Sequence, residues 1–305
     1  MRLLITGANG LLGLNLALAA GTGHHVIGVD RCVLNGVPFE HICLDLLDPG
    51  VVERLLETAR PEGVIHCAAL ANLDACEAEP EQAFRLNAEL PGVLAEACAR
   101  QGVKMLQVST DSVFDGTREG IYVESDVPNP QGVYSTTKFQ GERNVLSAFP
   151  QAVVARVNFF GWSCSGSRSI AEFFYNNLSS GRSCIGFKDV WFCPMFVGDL
   201  AETLVRMLEM DLSGVYHAVG SDMLTKYEFG VHLAERFGFD ANLIQPLLVE
   251  ESGLKARRSR NMYLSVQKLS TAFGTPIPGF STGLEKLFTQ YQQGYPQKIR
   301  SYAQA

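Results

Sequence analysis

Along the first half of the chain, short unbroken apolar runs alternate with longer stretches in which apolar positions recur every three or four residues. The runs lie at residues 3–5, 25–29, 64–67, 105–108 and 152–157. Apolar runs of this length predict strands buried on both faces. The periodic stretches at 11–20, 51–59, 81–100 and 135–147 predict helices. Strand–helix alternation implies βαβ units and therefore a doubly wound parallel sheet of the α/β class.

Beyond Phe160 the alternation fails. Residues 161–167 crowd Gly, Ser and Trp into a loop, and helices are predicted at 198–209, 226–237 and 284–292 with short strands between them. This pattern divides the chain into a Rossmann-type dinucleotide-binding domain at 1–157 and a smaller mixed α/β domain, mainly substrate-binding, at 158–305. The chain is expected to return to the first domain around 188–220. No Pro-rich or Gly/Ser linker separates the halves, so they are expected to share one cleft. The polar tail after Gly294 is expected to be loosely held.

Composition narrows the function. With 47% apolar and 19% charged residues among 305, the chain can bury a sizeable core and is not disordered. A net charge of -7 argues against nucleic acid or an anionic membrane as the main partner. None of the eight cysteines forms a C-x-x-C motif, and several sit in apolar runs, which suggests free thiols in a reducing, cytoplasmic setting. The apolar N-terminus ending in Ala17-Leu18-Ala19 imitates a signal peptide. Thr6, Gly7, Asn9, Gly10 and Gly13 break it where a continuous helix would be needed. No window approaches the length of a membrane span. The six histidines have no metal-ligand spacing, so no metal site is expected. His66 reads as a satisfied core histidine, while Trp162 and Trp191 fit either core packing or the cleft.

Two local patterns carry chemistry. The segment from Leu3 to Gly13 is a strand, a glycine turn and a helix start, with Gly7, Gly10 and Gly13 spaced G-x-x-G-x-x-G. Such a turn lets the amides around Asn9, Gly10 and Leu11 approach a pyrophosphate at the helix's positive end. Asp30 ends the second predicted strand, where a carboxylate can accept hydrogen bonds from ribose hydroxyls. It repels a 2′-phosphate, whereas Arg31 beside it attracts one, so NAD or NADP fits, with a lean to NAD. The second pattern is Tyr134-x-x-x-Lys138 on a predicted helix, preceded by Ser109-Thr110-Asp111 at the end of a predicted core strand. Residues i and i+4 share a helix face. The ammonium is expected to lower the phenol's pKa and make Tyr134 a general acid/base, with Thr110 on the same substrate oxygen.

Taken in order, these motifs resemble the extended short-chain dehydrogenase/reductase superfamily. Within it, residues 109–116 with Tyr122, Glu124 and Asp126 resemble the dTDP-4-dehydrorhamnose reductase family, as do Gly141-Glu142, Cys193-Pro194-Met195 and Arg258 to Asn261. The resemblance implies a catalytic triad of Thr110, Tyr134 and Lys138, with Lys138 also holding the nicotinamide ribose. It implies cofactor contacts at Asp45, Leu46, Ala68 and Ala69, and sugar-nucleotide contacts at Asp111, Ser112 and Arg258. Arg257 or Arg260 would assist Arg258 on the diphosphate. The implied activity is reduction of a keto group on a nucleotide-linked deoxysugar, by a protein that can form a homodimer. Two departures stand out: Ser112 replaces the usual aromatic, and Ser259 the usual proline. Residues 156–161 look equally like sugar-nucleotide epimerases and dehydratases. The chain also resembles the non-catalytic regulatory β subunits of methionine adenosyltransferase, notably at 225–228 and 258–261.

Overall fold

A computed structural model describes residues 1–253 and 259–303. Its centre is a seven-stranded sheet of β1 (Arg2–Thr6), β2 (His25–Asp30), β3 (Glu40–Cys43), β4 (Gly63–His66), β5 (Lys104–Thr110) and β6 (Val153–Val157), completed by β11 (Gly214–Ala218). The strand order is β11-β6-β5-β4-β1-β2-β3, and every pairing is parallel. The order reverses beside β1, so a crevice opens at the carboxyl ends of β1 and β4, the place where doubly wound sheets take ligands.

Helices α1 (Leu11–Ala20), α2 (Val51–Ala59), α3 (Leu73–Ala78), α4 (Pro80–Phe84), α5 (Leu90–Gln101) and α6 (Val133–Ala148) connect these strands. The single helix expected over 81–100 is interrupted by a π-helical turn at Arg85–Glu89. Pro91 has no N–H to give the Asn87 carbonyl one turn back. Gly141 of α6 packs so closely there that a Cβ would lie 2.2 Å from that carbonyl oxygen.

After β6 come β7 (Phe159–Phe160), α7 (Ile170–Leu178), β8 (Cys184–Phe187), β9 (Trp191–Phe192), β10 (Met195–Phe196) and α8 (Val197–Glu209). Helix α8 packs on α1 and leads into β11, returning the chain to the large sheet. The remaining strands, β12 (Leu224–Thr225), β13 (Ile244–Leu247) and β14 (Asn261–Met262), pair with β9, β8 and β9 respectively. Helices α9 (Lys226–Phe237), α10 (Gln267–Phe273) and α11 (Phe280–Gln292) complete this smaller layer. Its core is aromatic, with Phe160, Phe174 and Phe229 fully buried. Trp162 lies in the core, its indole N–H donating to the Leu287 carbonyl at 3.2 Å.

The tail is not loose. Residues after Gly294 form α12 (Tyr295–Ser301), which buries Pro296, Ile299 and then Tyr302. The Tyr295 hydroxyl donates to Asn15 of α1 at 2.8 Å, and the Tyr302 carbonyl accepts from the Asn35 amide at 2.8 Å. Three large apolar side chains spaced among polar ones are enough to dock a two-turn helix, a pattern that the tail's polar average hides.

Candidate active site

Strand β1 ends at Thr6 and turns through Gly7, whose φ of +70° is a conformation that side-chain-bearing residues rarely adopt. A Cβ on Gly7 would lie 2.7 Å from the Ala68 nitrogen, and one on Gly13 only 2.0 Å from the Gly7 carbonyl oxygen. These glycines let the turn nest between α1 and the chain leaving β4. Gly10 caps α1 without any side-chain hydrogen bond, so the first-turn amides near Leu11 keep their donors for an anion. The Ala68 amide donates to the Thr6 hydroxyl at 3.3 Å, which seats Ala68 and Ala69 beside the turn.

Asp30, at the end of β2, accepts from the Asn9 amide at 3.0 Å and from the Arg31 amide at 2.7 Å. Arg31 itself is exposed. The Asn9 side chain donates to the Cys32 carbonyl and meets His41 Nε2 at 3.0 Å, a brace that the sequence motif does not reveal. The Leu44 amide donates to the Asp30 carbonyl, bringing Asp45 to the same corner. Leu46 is buried in the core beside α2, so its side chain is committed to packing.

Thr110 ends β5 and is 6% exposed. It accepts from the Ser112 amide at 3.2 Å and donates to Asp111 at 3.1 Å, and it acts on the Tyr134 phenol against the effect of burial. Tyr134 and Lys138 project from successive turns of α6, as their spacing requires. The Lys138 ammonium donates to the Val108 carbonyl of β5 at 2.7 Å. It also lies beside His66 and Cys67, the residues that lead into Ala68 and the glycine turn. One crevice therefore gathers residues from β1, β4, β5 and α6.

The electrostatics correct one expectation. Burial pushes the Tyr134 phenol up to about 12, with Thr110 opposing the shift and Asp111 and Cys76 adding to it, so the phenol lies above its ordinary value rather than below it. The same burial lowers Lys138 to about 8, against the nearby Glu142 and Cys67, which raise it. His66 is buried, with Nδ1 against the Thr6 hydroxyl at 2.6 Å, but its Nε2 has no partner among the described residues. It is thus half satisfied, and burial lowers it to about 3.

On the substrate side, Asp111 is buried, and burial holds its carboxyl above the usual range despite hydrogen bonds from Asn158, Thr110 and Ser112. Asn158 donates to Asp111 at 2.5 Å, and Lys226 at the start of α9 acts on the same carboxylate. Sequence reasoning did not single out either residue, because they lie 47 and 115 positions away and only the fold brings them to Asp111. Arg257 and Arg258 lie outside the described residues. Arg260 is paired with Asp189 and Glu250 rather than left free for a diphosphate. Neighbouring Ser259 donates to the Phe114 carbonyl at 3.1 Å, closing this segment over the loop after Asp111. Among the described residues no cluster of three or more His, Cys, Asp or Glu side chains could hold a metal ion, and no helix is long and apolar enough to cross a membrane.

A parallel Rossmann sheet, a glycine turn at its first strand and a Thr/Tyr/Lys set at the end of β5 define an extended short-chain dehydrogenase/reductase. Within that class, the chain belongs to the family described as the RmlD substrate binding domain, whose model matches residues 1–293. It is 32% identical over 289 residues to a dTDP-4-dehydrorhamnose reductase of Mycobacterium tuberculosis, covering 93% of this chain and 91% of that one. It is also 30% identical over 295 residues to the methionine adenosyltransferase 2 subunit beta of Mus musculus, covering 93% and 86%. The structure of a dTDP-4-dehydrorhamnose reductase from Bacillus anthracis in complex with NADP superposes with a TM-score of 0.85 at 25% identity, covering 94% of this chain and 98% of that one.

Proposed function

We propose that this protein reduces a keto group on a nucleotide-linked deoxysugar, as its relatives named dTDP-4-dehydrorhamnose reductase do by name. The observation that carries this reading is the convergence of Thr110 at the end of β5 with Tyr134 and, one helical turn on, Lys138 of α6, in a crevice shared with the glycine turn. The turn and the uncapped start of α1 fit a dinucleotide diphosphate: Gly7, Asn9, Gly10, Leu11 and Gly13 would hold it. Asp30 and Arg31 would meet the adenosine ribose, Asp45 and the backbone of Leu46 the adenine, and Ala68 and Ala69 the far side. The nicotinamide, when bound, supplies the hydride.

The chain's own residues do the rest. A phenol held near 12 stays protonated at neutral pH, so Tyr134 enters the reaction as an acid and gives its proton to the alkoxide forming on the substrate carbon. Thr110 steadies that oxygen and accompanies the phenol. Lys138 supplies positive charge beneath the site as the phenolate develops and holds the nicotinamide ribose. Asp111 and Ser112, with Arg258, orient the sugar nucleotide. Asp30 disfavours a 2′-phosphate and supports NAD(H), although the related Bacillus anthracis structure holds NADP.

A second reading, a regulatory subunit that binds the dinucleotide without turnover, is favoured by the likeness to methionine adenosyltransferase 2 subunit beta. Absorbance at 340 nm, with NADH and NADPH offered separately alongside dTDP-4-keto-6-deoxysugars, separates the two. Oxidation that falls about 10²–10⁴-fold in Tyr134→Phe, with dinucleotide binding retained, is the expected outcome. Tight dinucleotide binding without turnover on any keto sugar refutes the reductase reading.

A further inference from the structure

One turn beyond Lys138 on the same face of α6 lies Glu142, 2% exposed. Its carboxylate accepts from the Ser109 hydroxyl of β5 at 2.5 Å. It also accepts two nitrogens of Arg156 on β6, at 2.8 Å and 3.0 Å, in a buried fork. Arg156 lies over the Phe114 ring at 5.0 Å, and its remaining nitrogen has no partner among the described residues. Ser109 immediately precedes Thr110. The carboxylate therefore ties the helix that carries Tyr134 and Lys138 to the strand that carries Thr110, beneath the crevice.

A buried ion pair is a costly way to pack a helix, since an apolar replacement of similar volume is often as stable or more so. Its position suggests a further role. We propose that Glu142 is a positioning residue: clamped by Ser109 and Arg156, it keeps Lys138 in its ammonium form and seats α6 against β5 and β6. The inference rests on the reductase reading insofar as Lys138 matters to turnover. The groups around the ammonium are Glu142 from α6, with Tyr134 one turn back on the same helix, His66 and Cys67 at the end of β4, and the Val108 carbonyl of β5. Arg156 of β6 stands behind Glu142, and Asp111 beyond Tyr134. His66 stays neutral, while Cys67 and Tyr134 stay protonated, because burial moves each of them that way. The negative charge opposing desolvation of the ammonium is then chiefly that of Glu142, and even with that opposition burial takes Lys138 down to about 8.

The test reads Lys138 directly. Protein grown on 13C-lysine is titrated by NMR, with the Lys138 Cε resonance assigned by its loss in Lys138→Met. Glu142→Gln keeps the shape, removes the charge and unmasks Arg156, so the midpoint of Lys138 is expected to fall by roughly one to two pH units. Arg156→Gln leaves Glu142 without its counter-charge, so the midpoint is expected to rise. Both effects would be read again as matching displacements of the alkaline limb of kcat/KM. A purely structural pair would move Lys138 the same way in both variants, or in neither, and either result overturns the proposal. If Glu142→Gln does not fold, the Arg156→Gln titration still decides, since an unchanged or lowered midpoint there refutes the inference. The NMR titration needs no turnover, so opposite shifts in a protein that reduces no keto sugar would uphold Glu142's control of Lys138 while the reductase reading fails.

Discussion

Acidification should destabilise this fold through two buried histidines before most of its carboxylates titrate. His66 and His217 are fully buried, and burial lowers each to about 3 from an ordinary value of 6.5. Each is neutral when folded and protonated when unfolded over the interval between those values. Stability is therefore intact above 6.5 and is lost as the pH falls below it. Each pH unit costs about 1.4 kcal/mol per histidine, so at pH ~5 each removes about 2 kcal/mol and the pair about 4 kcal/mol. The figure at pH ~5 does not depend on how far below 5 the folded values lie. Against a typical stability of about 5–15 kcal/mol, the effect is large. Asp111, held above its usual range, works in the opposite direction, so the histidines are best isolated by substitution. His66→Asn keeps an amide near Thr6 Oγ1, and His217→Asn can still donate to the Ser265 carbonyl that now lies 3.2 Å from Nδ1. Urea unfolding at intervals between pH ~7 and ~5 should show each single variant losing about 1.4 kcal/mol per pH unit less than the parent, and the double variant about twice that. Single variants that follow the parent's slope would refute the argument.

Two further predictions follow from packing. Gly13→Ala puts a Cβ 2.0 Å from the Gly7 carbonyl oxygen; the turn must open, at a cost of about 1–3 kcal/mol. Dinucleotide affinity measured by fluorescence quenching should fall with it, and a variant that binds normally would show that the turn is not the cradle. Deleting residues 295–305 removes buried Ile299 and Tyr302, whose burial is worth about 3–6 kcal/mol together, so thermal unfolding should shift clearly downward. An unchanged transition would mean that α12 contributes no stability.

Apolar runs and helical periods along the first half were enough to define a doubly wound sheet, because strands buried on both faces and amphipathic helices have periods that a one-dimensional reading detects. The glycine turn, Asp30, Thr110, Tyr134 and Lys138 were legible for a related reason: each sits at a fixed offset from the end of one element, so its placement is local. What depends on long-range packing was not. The π-helical turn at Arg85–Glu89 follows from Pro91 and from Gly141 of another helix pressing on Asn87. The docked tail depends on a hydrogen bond to Asn15, 280 residues away. Sequence spacing predicted that Lys138 would lower Tyr134, and it placed the two on one helix face correctly. The sign of the effect was decided by burial of the phenol. Pattern along the chain determines which residues share a face; desolvation and the partners brought by other elements determine what those residues do there.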